Sequence, residues 1–435
     1  MNYANMENWK SWTQNIDTML KQLLIIVSFT SGLFPASAQT LSLDSIINTI
    51  QKGNPTLKMY DAEVRSSDEA ARGARNWDAP TLGTGFWMTP YNPKYWKKGD
   101  NGATGTGQYQ LSVEQVMPNR KRLDAEEKYL QSVSSIDAER KKTVLNELVA
   151  AAKKNYYEWM ILKRKTNILD EGEKLLNFMI QSAEIRYKNG LGKINAYYKA
   201  KAAIGNIQNM RLMLDNEIKQ RRIILNTLMN RDKTQAFEVD TIYTIKDYSS
   251  AAFDSTTFID SRSDIRAIDK NIQVNYLQQT AEYAKLKPEF GVRYEHMFGF
   301  GGLPTQYSLL GTVKIPLTKW SSRSAKANVE SLKWKSASLT LQKQMIINEA
   351  TGMAYGMQND IEVKKKQIRL YNENIIPALR KNFQTMQLAY EQNTEELFSL
   401  FDAWETLNMT QLEYLQQVQD LLMMQVALEK VLEIK

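Results

Sequence analysis

The sequence predicts a mainly helical chain with four β-strands, built as two copies of one unit of about 200 residues. Three observations predict it. Prolines and turns recur in one order, at offsets of 208, 198 and 203 residues. Four segments alternate apolar and polar residues, the period of a strand with one apolar face. Two stretches of about 50 residues contain no proline, well beyond the 8–20 residues of ordinary globular helices.

The first element is an address. Leu23 to Phe34 is an apolar run of 12 residues, preceded by Lys21 and followed by Pro35 and Ala36-Ser37-Ala38. A short apolar run before an A-x-A site reads as a secretory signal peptide over residues 1–38. It is too short to span a bilayer, which takes ~20 apolar residues. Residues 1–18 are polar, so translation starting at Met19 would give a signal of ordinary length. A buried amino-terminal helix is the alternative. No cysteine follows the site to carry a lipid, and no later stretch is apolar enough for a transmembrane helix. An exported protein of this kind is either soluble or a β-barrel.

The first repeat covers 39–231. After an opening helix come strands at about 81–88 and 108–116, of which Tyr109 to Glu114 alternates at every step. The loop between them, Thr89 to Gly107, is rich in Gly, Pro, Asn, Lys and aromatics, as hairpin connections are. Asn119 to about Glu171 is the first long helix, closed by Gly172, and at ~1.5 Å per residue it spans ~75 Å. Ile194 to Met229 follows the turn near Gly190. An inter-repeat segment, 232–262, leads to the second repeat, 263–435. There the strands are about 289–297 and 307–315, joined by the glycine-rich loop Phe298 to Gln306, and the long helix is Trp320 to Asn374. The last helix carries a heptad. Leu397, Trp404, Gln411, Val418, Gln425 and Leu432 fill one seam position, and Leu400, Leu407, Tyr414, Leu421 and Leu428 the other. Nine of these eleven are apolar or aromatic, the pattern of knobs-into-holes packing. Residue identity between the repeats is low; the shared order of elements carries the assignment.

Composition removes most chemistry. Among 435 residues there is no cysteine and one histidine, His296. Thiolate metal sites, disulfides, cysteine nucleophiles and multi-histidine centres are therefore excluded, and no cofactor is expected. The net charge of +8 is spread along the chain, and mean hydropathy is −0.47, so neither a nucleic-acid partner nor a helical membrane bundle is indicated. Met297, Met353 and Met357 with His296 raise soft-metal ligation, but methionine is chiefly gap filler in cores, and no metal site is assigned. Phe298 to Gly302 lacks the Lys-Ser/Thr of a phosphate loop. No enzyme constellation emerges.

Four strands with one apolar face cannot close a barrel alone. About eight is the minimum, and open edges in lipid cost several kcal/mol per unsatisfied group. Oligomerisation is the way out, and a trimer would supply twelve strands around a pore.

On this pattern the chain resembles the TolC family of outer-membrane efflux ducts over essentially its whole mature length. The carriers are Asn54-Pro55-Thr56-Leu57, the strand-to-helix segment Val113 to Arg122, the turn Arg186 to Leu191, and Ala389 to Thr394 before Leu400 to Ala403. The Gln-x-x-Pro-x-x-Lys-Arg spacing of Gln115 to Arg122 leans toward the heavy-metal efflux branch. The resemblance implies a homotrimer with a twelve-stranded β-barrel in the outer membrane of a Gram-negative bacterium. Its coiled-coil helices would form a periplasmic tunnel. It implies outer-membrane lipid, a periplasmic adaptor (membrane fusion protein) and an inner-membrane pump of RND type as partners, with metal cations or drugs as substrates. By the same resemblance the tunnel narrows at a periplasmic gate. Asp402 takes the second of two family aspartate positions and Ser399 the first. Tyr390 takes the family tyrosine, and Glu395 stands where a basic partner is usual. Three carboxylates converging on an axis would favour cations. The turns at Gly190, Leu191, Asn393 and Thr394 would meet the adaptor, with Asn393 in a position usually held by glycine. Trp87, Tyr91, Tyr95 and Trp96 suit either an outer rim or a packed loop core. Two further readings stay open: a secreted or periplasmic coiled-coil scaffold without a pore, and a duct for type I protein secretion.

Overall fold

A computed structural model describes residues 40–190, 194–248, 258, 260–316 and 318–434. The signal peptide and Leu191 lie outside them. The elements in chain order are β1 (Thr40–Leu41), α1 (Leu43–Gly53), α2 (Pro55–Arg72), β2 (Thr81–Trp87), β3 (Gln108–Met117), α3 (Arg120–Lys188), α4 (Ile194–Leu228), β4 (Glu238–Val239), α5 (Ser263–Ala284), β5 (Glu289–Gly299), β6 (Gln306–Lys314), α6 (Lys319–Leu370), α7 (Ile376–Glu391) and α8 (Leu397–Leu432).

Asn54 explains the break between α1 and α2. Its side-chain oxygen accepts from the Thr56 N–H, capping α2, with Pro55 at the first helical position. Its amide donates to the Leu228 carbonyl at 2.9 Å, fastening this break to the end of α4. Asn119 works the same way. It caps α3 through the Lys121 N–H, and its amide donates to the Pro288 carbonyl at 3.0 Å. Arg122 pairs with Glu289 one turn later. The Val113 to Arg122 segment therefore ties the first strand-to-helix junction to the start of β5.

Helix α3 differs from its expected end. It runs 69 residues to Lys188, ~100 Å, straight through Gly172. A Cβ on Gly172 would lie 3.2 Å from the Trp404 ring and 3.3 Å from Ile207. The glycine is there for close packing of α3 against α4 and α8, not to stop the helix. The second long helix also runs on. Between α6 and α7 a five-residue π-turn, Tyr371–Ile375, sends the Ile376 N–H to the Tyr371 carbonyl. The wider turn makes room for Pro377, whose ring would clash with the carbonyl four residues back in a regular helix. Helical structure thus extends beyond Asn374 to Glu391.

Among the described residues the core lies in three large stretches along these rods and one small cluster, Ala125, Ala281 and Ala284. Leu41, Ile46, Ile50, Trp159, Leu225 and Phe237 form one, with Trp159 edge-on to Phe237 at 4.9 Å. β1 and β4 pair in parallel within it, a two-residue contact that the sequence pattern did not reveal. A second joins α3, α5, α6 and α8 through residues such as Ile161, Ile265, Ile361 and Leu421. The third lies near the helix tips. Nine of the eleven heptad positions of α8 are buried; Gln411 and Tyr414 are intermediate. Gln425 is buried because its amide donates to the Lys246 carbonyl at 2.9 Å. Beside it Glu429 accepts from Lys153 Nζ at 2.5 Å, Lys246 Nζ at 2.6 Å and Tyr248 Oη at 2.7 Å. This cluster binds the 240–248 segment across α3 and α8.

Candidate functional site: a two-faced sheet and a helix tip

The four longer strands form one antiparallel sheet in the order β2-β3-β5-β6. Residues paired across an antiparallel ladder share a face. Leu82 pairs with Val113, Val113 with Tyr294 and Tyr294 with Leu309. Phe290 and Val313, and His296 and Tyr307, extend that face. Leu82 is 75% exposed, Leu309 66% and Phe290 53%. The face is apolar and, among the described residues, covered by nothing.

The opposite face is polar. Gln108, Gln110, Ser112 and Glu114 alternate with the apolar residues of β3. Glu114 stands opposite Arg293, which pairs with Glu295 at 2.7 Å. Glu289 meets Arg122 and, at 3.6 Å, Lys314. Strands β2 and β6 are the two edges of the sheet. Both hairpin loops leave one end of the sheet, and the long helices leave the other, as the registers require. No helix among the described residues is long and apolar enough to cross a membrane.

The expected aromatic cluster divides. Trp96 packs, stacked on Phe300 at 5.4 Å, while Tyr91 and Tyr95 stay exposed. The His–Met grouping does not converge. His296 lies on the apolar face, 4.5 Å from Phe298, and Met297 on the other; Met353 is exposed, and Met357 packs on the helical core.

At the other end, ~100 Å away along the helices, the tip brings α3, α4, α7 and α8 together. Tyr390 is buried, its hydroxyl 2.6 Å from Ser182 Oγ. The Arg186 guanidinium sits over its ring at 4.2 Å, donates to its carbonyl at 3.1 Å, and also donates to the Asn393 side chain. Asn393 has φ +59° and Gly190 +73°, so both turns use the left-handed region that these residues tolerate. Thr394 closes the turn through its N–H and hydroxyl, both to the Ala389 carbonyl at 2.9 Å.

Of the remaining site residues, Ser399 is half-buried, and Asp402 and Glu395 are exposed on the tip. Among the described residues neither carboxylate has an ion-pair partner. Lys199 of α4 is spent elsewhere, its ammonium 4.0 Å from the Phe398 ring and 4.4 Å from Phe401. The sequence reading missed the roles of Ser182, Arg186 and Lys199. Arg186 supplies the cation at Tyr390 from the other helix pair, while Glu395 is exposed. The signal for Arg186 was that it opens the turn motif Arg186 to Leu191.

Residues 46–231 match the outer membrane efflux protein family. Solved structures share the fold. The outer membrane protein VceC from Vibrio cholerae is 15% identical with a TM-score of 0.68, covering 90% of this chain and 95% of its own. The Neisseria gonorrhoeae MtrE outer membrane channel in its open state is 14% identical with a TM-score of 0.69, covering 90% and 88%. The outer-membrane channel OprN is 15% identical with a TM-score of 0.70, covering 90% and 89%. No curated protein sequence matches. The first part of the chain thus matches the outer membrane efflux protein family, and the fold over nine-tenths of its length is the one these outer-membrane channel structures share.

Proposed function

We propose that three copies of this chain, each built of two repeats, form the exit duct of a tripartite efflux pump. The observation that carries this is the open four-stranded sheet, apolar on one exposed face and polar on the other. An edge strand in lipid cannot leave its N–H and C=O groups unpaired. Pairing β6 of one copy with β2 of the next removes every edge at twelve strands. The apolar face then meets lipid in the outer membrane, and the polar face lines a water-filled lumen. Helices of ~100 Å continue the lumen into the periplasm. The duct does no chemistry: substrate enters from a pump, which we take to be of RND type, through an adaptor seated on the turns at Gly190–Leu191 and Asn393–Thr394. The cargo would be metal cations or drugs.

Asp402 is the gate carboxylate in this reading. It is exposed and has no ion-pair partner among the described residues, which leaves it free to face its two symmetry copies. Three carboxylates around one axis attract multivalent cations. Ser182, Arg186 and Tyr390 hold the tip closed from behind, and Ser399 and Glu395 line its approach. Asp402→Ala is expected to abolish block of single-channel current by multivalent cations in planar bilayers, with the trimer intact. Unchanged block would remove Asp402 from the gate.

A further inference from the structure

The outward, apolar face of the sheet continues into an ordered shelf at its hairpin end. Phe86 lies on that face opposite Tyr109, their rings 5.6 Å apart. Trp96 stacks on Phe86 at 5.8 Å as well as on Phe300. The short turn Pro93–Trp96 is therefore folded over onto the outward side rather than across the polar face.

Several bonds hold it there. Trp96 Nε1 donates to the Pro90 carbonyl at 2.8 Å, the Thr106 N–H to the Tyr95 carbonyl at 2.7 Å, and the Gly105 N–H to the Gly301 carbonyl at 2.9 Å. The two hairpin loops touch backbone to backbone. Gly301 has φ +59°, and a Cβ there would stand 2.5 Å from the Gly105 Cα. Only glycine admits this contact.

The shelf carries Lys94, Lys97 and Lys98, all exposed, with exposed Tyr91 and Tyr95 beside them. Between Met88 and Gly107 the one acidic residue is Asp100. Three ammonium groups and two tyrosines thus border an apolar surface. Tyrosine favours the boundary between acyl chains and head groups. Lysine keeps its stem on apolar surface and its charge at the polar edge, and clustered lysines attract anionic head groups. Because the shelf is already ordered, binding costs little loop entropy.

We propose that this shelf binds a phosphorylated lipid of the outer leaflet, with Lys94, Lys97 and Lys98 on the phosphate and Tyr91 and Tyr95 at the acyl boundary. The assignment rests on the duct reading, since only in a barrel does this face meet lipid.

The test uses the full chain in detergent, titrated with lipid A or with phosphatidylcholine, and reads bound lipid by native mass spectrometry. The wild type should hold lipid A at least about tenfold more tightly. The K94Q/K97Q/K98Q variant should lose that preference with unchanged single-channel conductance, and millimolar inorganic phosphate should not displace the lipid. Equal retention of both lipids by the wild type, undiminished preference in the variant, or displacement by free phosphate would each overturn the site. Conductance of the wild type separates the two readings. A pore without lipid preference rejects the shelf alone. Absence of a pore rejects the duct, and the shelf with it.

Discussion

Glu429→Ala is expected to lower the free energy of unfolding by roughly 3–5 kcal/mol, the cost of breaking a buried ion pair from one side. The side chains of Glu429 and Lys153 are each 6% exposed. Without the carboxylate, Lys153 keeps its charge in the interior with no counter-ion, and Lys246 and Tyr248 lose the acceptor that docks their segment. Replacing both members by apolar residues, Lys153→Met with Glu429→Leu, is expected to recover much of the loss, because neither buried charge then remains. Denaturant unfolding in detergent measures both. The pH dependence gives a second reading. Burial pushes the Glu429 carboxyl up, but hydrogen bonds from Lys153, Lys246 and Tyr248 outweigh it and hold the group below its ordinary 4.5. A carboxyl lowered in the folded state contributes stability that is complete above that ordinary value and lost as pH falls through the folded one. The wild type should therefore lose stability on acidification below about 4.5 more steeply than Glu429→Ala. Identical acid slopes would show that the cluster does not couple to folding.

The second large effect concerns the sheet. Val113→Arg places a cation in the middle of the outward face, between Leu82 and Tyr294. At the mid-depth of the proposed membrane barrel this would cost roughly 2–4 kcal/mol per chain. The loss is repeated in every copy, so little assembled protein should be recovered from outer membranes. Gln110→Arg, three residues away on the polar face, should assemble normally, since in the proposed barrel that face lines the lumen, where charge is tolerated. The readout is the amount of assembled, membrane-extracted protein for each variant. If both variants assemble equally well, the outward face does not meet lipid.

The sequence made the repeating elements legible where one physical period ran long enough to be seen. β3 alternates at every step from Tyr109 to Glu114, and α8 keeps its seam for five heptads, so the period of each shows in the sequence. Ends were harder. Gly172 looks like a helix stop until Trp404 is known to rest on it, and Pro377 looks like a break until the π-turn absorbs it. Both depend on atoms distant in the chain or on a local winding that composition does not encode. β1 and β4, at two residues each, are too short to show a period. At the tip, the turn residues Gly190 and Asn393 could be read because positive φ restricts residue choice. The link from Tyr390 to Ser182 could not, because a hydrogen bond between residues 208 apart leaves no local trace. Glu395 stands where the family pattern has a base, and the cation at Tyr390 comes instead from Arg186 across the helix pair. Asp402 remains a proposal that rests on its place in the family pattern and on its exposure.

The central claim is that four strands per chain close only in company. Its most direct test is the mass of the native protein extracted from outer membranes in detergent, by light scattering with the detergent contribution subtracted. Three copies of the mature chain are expected, since twelve strands then leave no free edge. A monomer or dimer that stays dispersed without detergent would contradict the shared barrel and leave a helical scaffold with no pore.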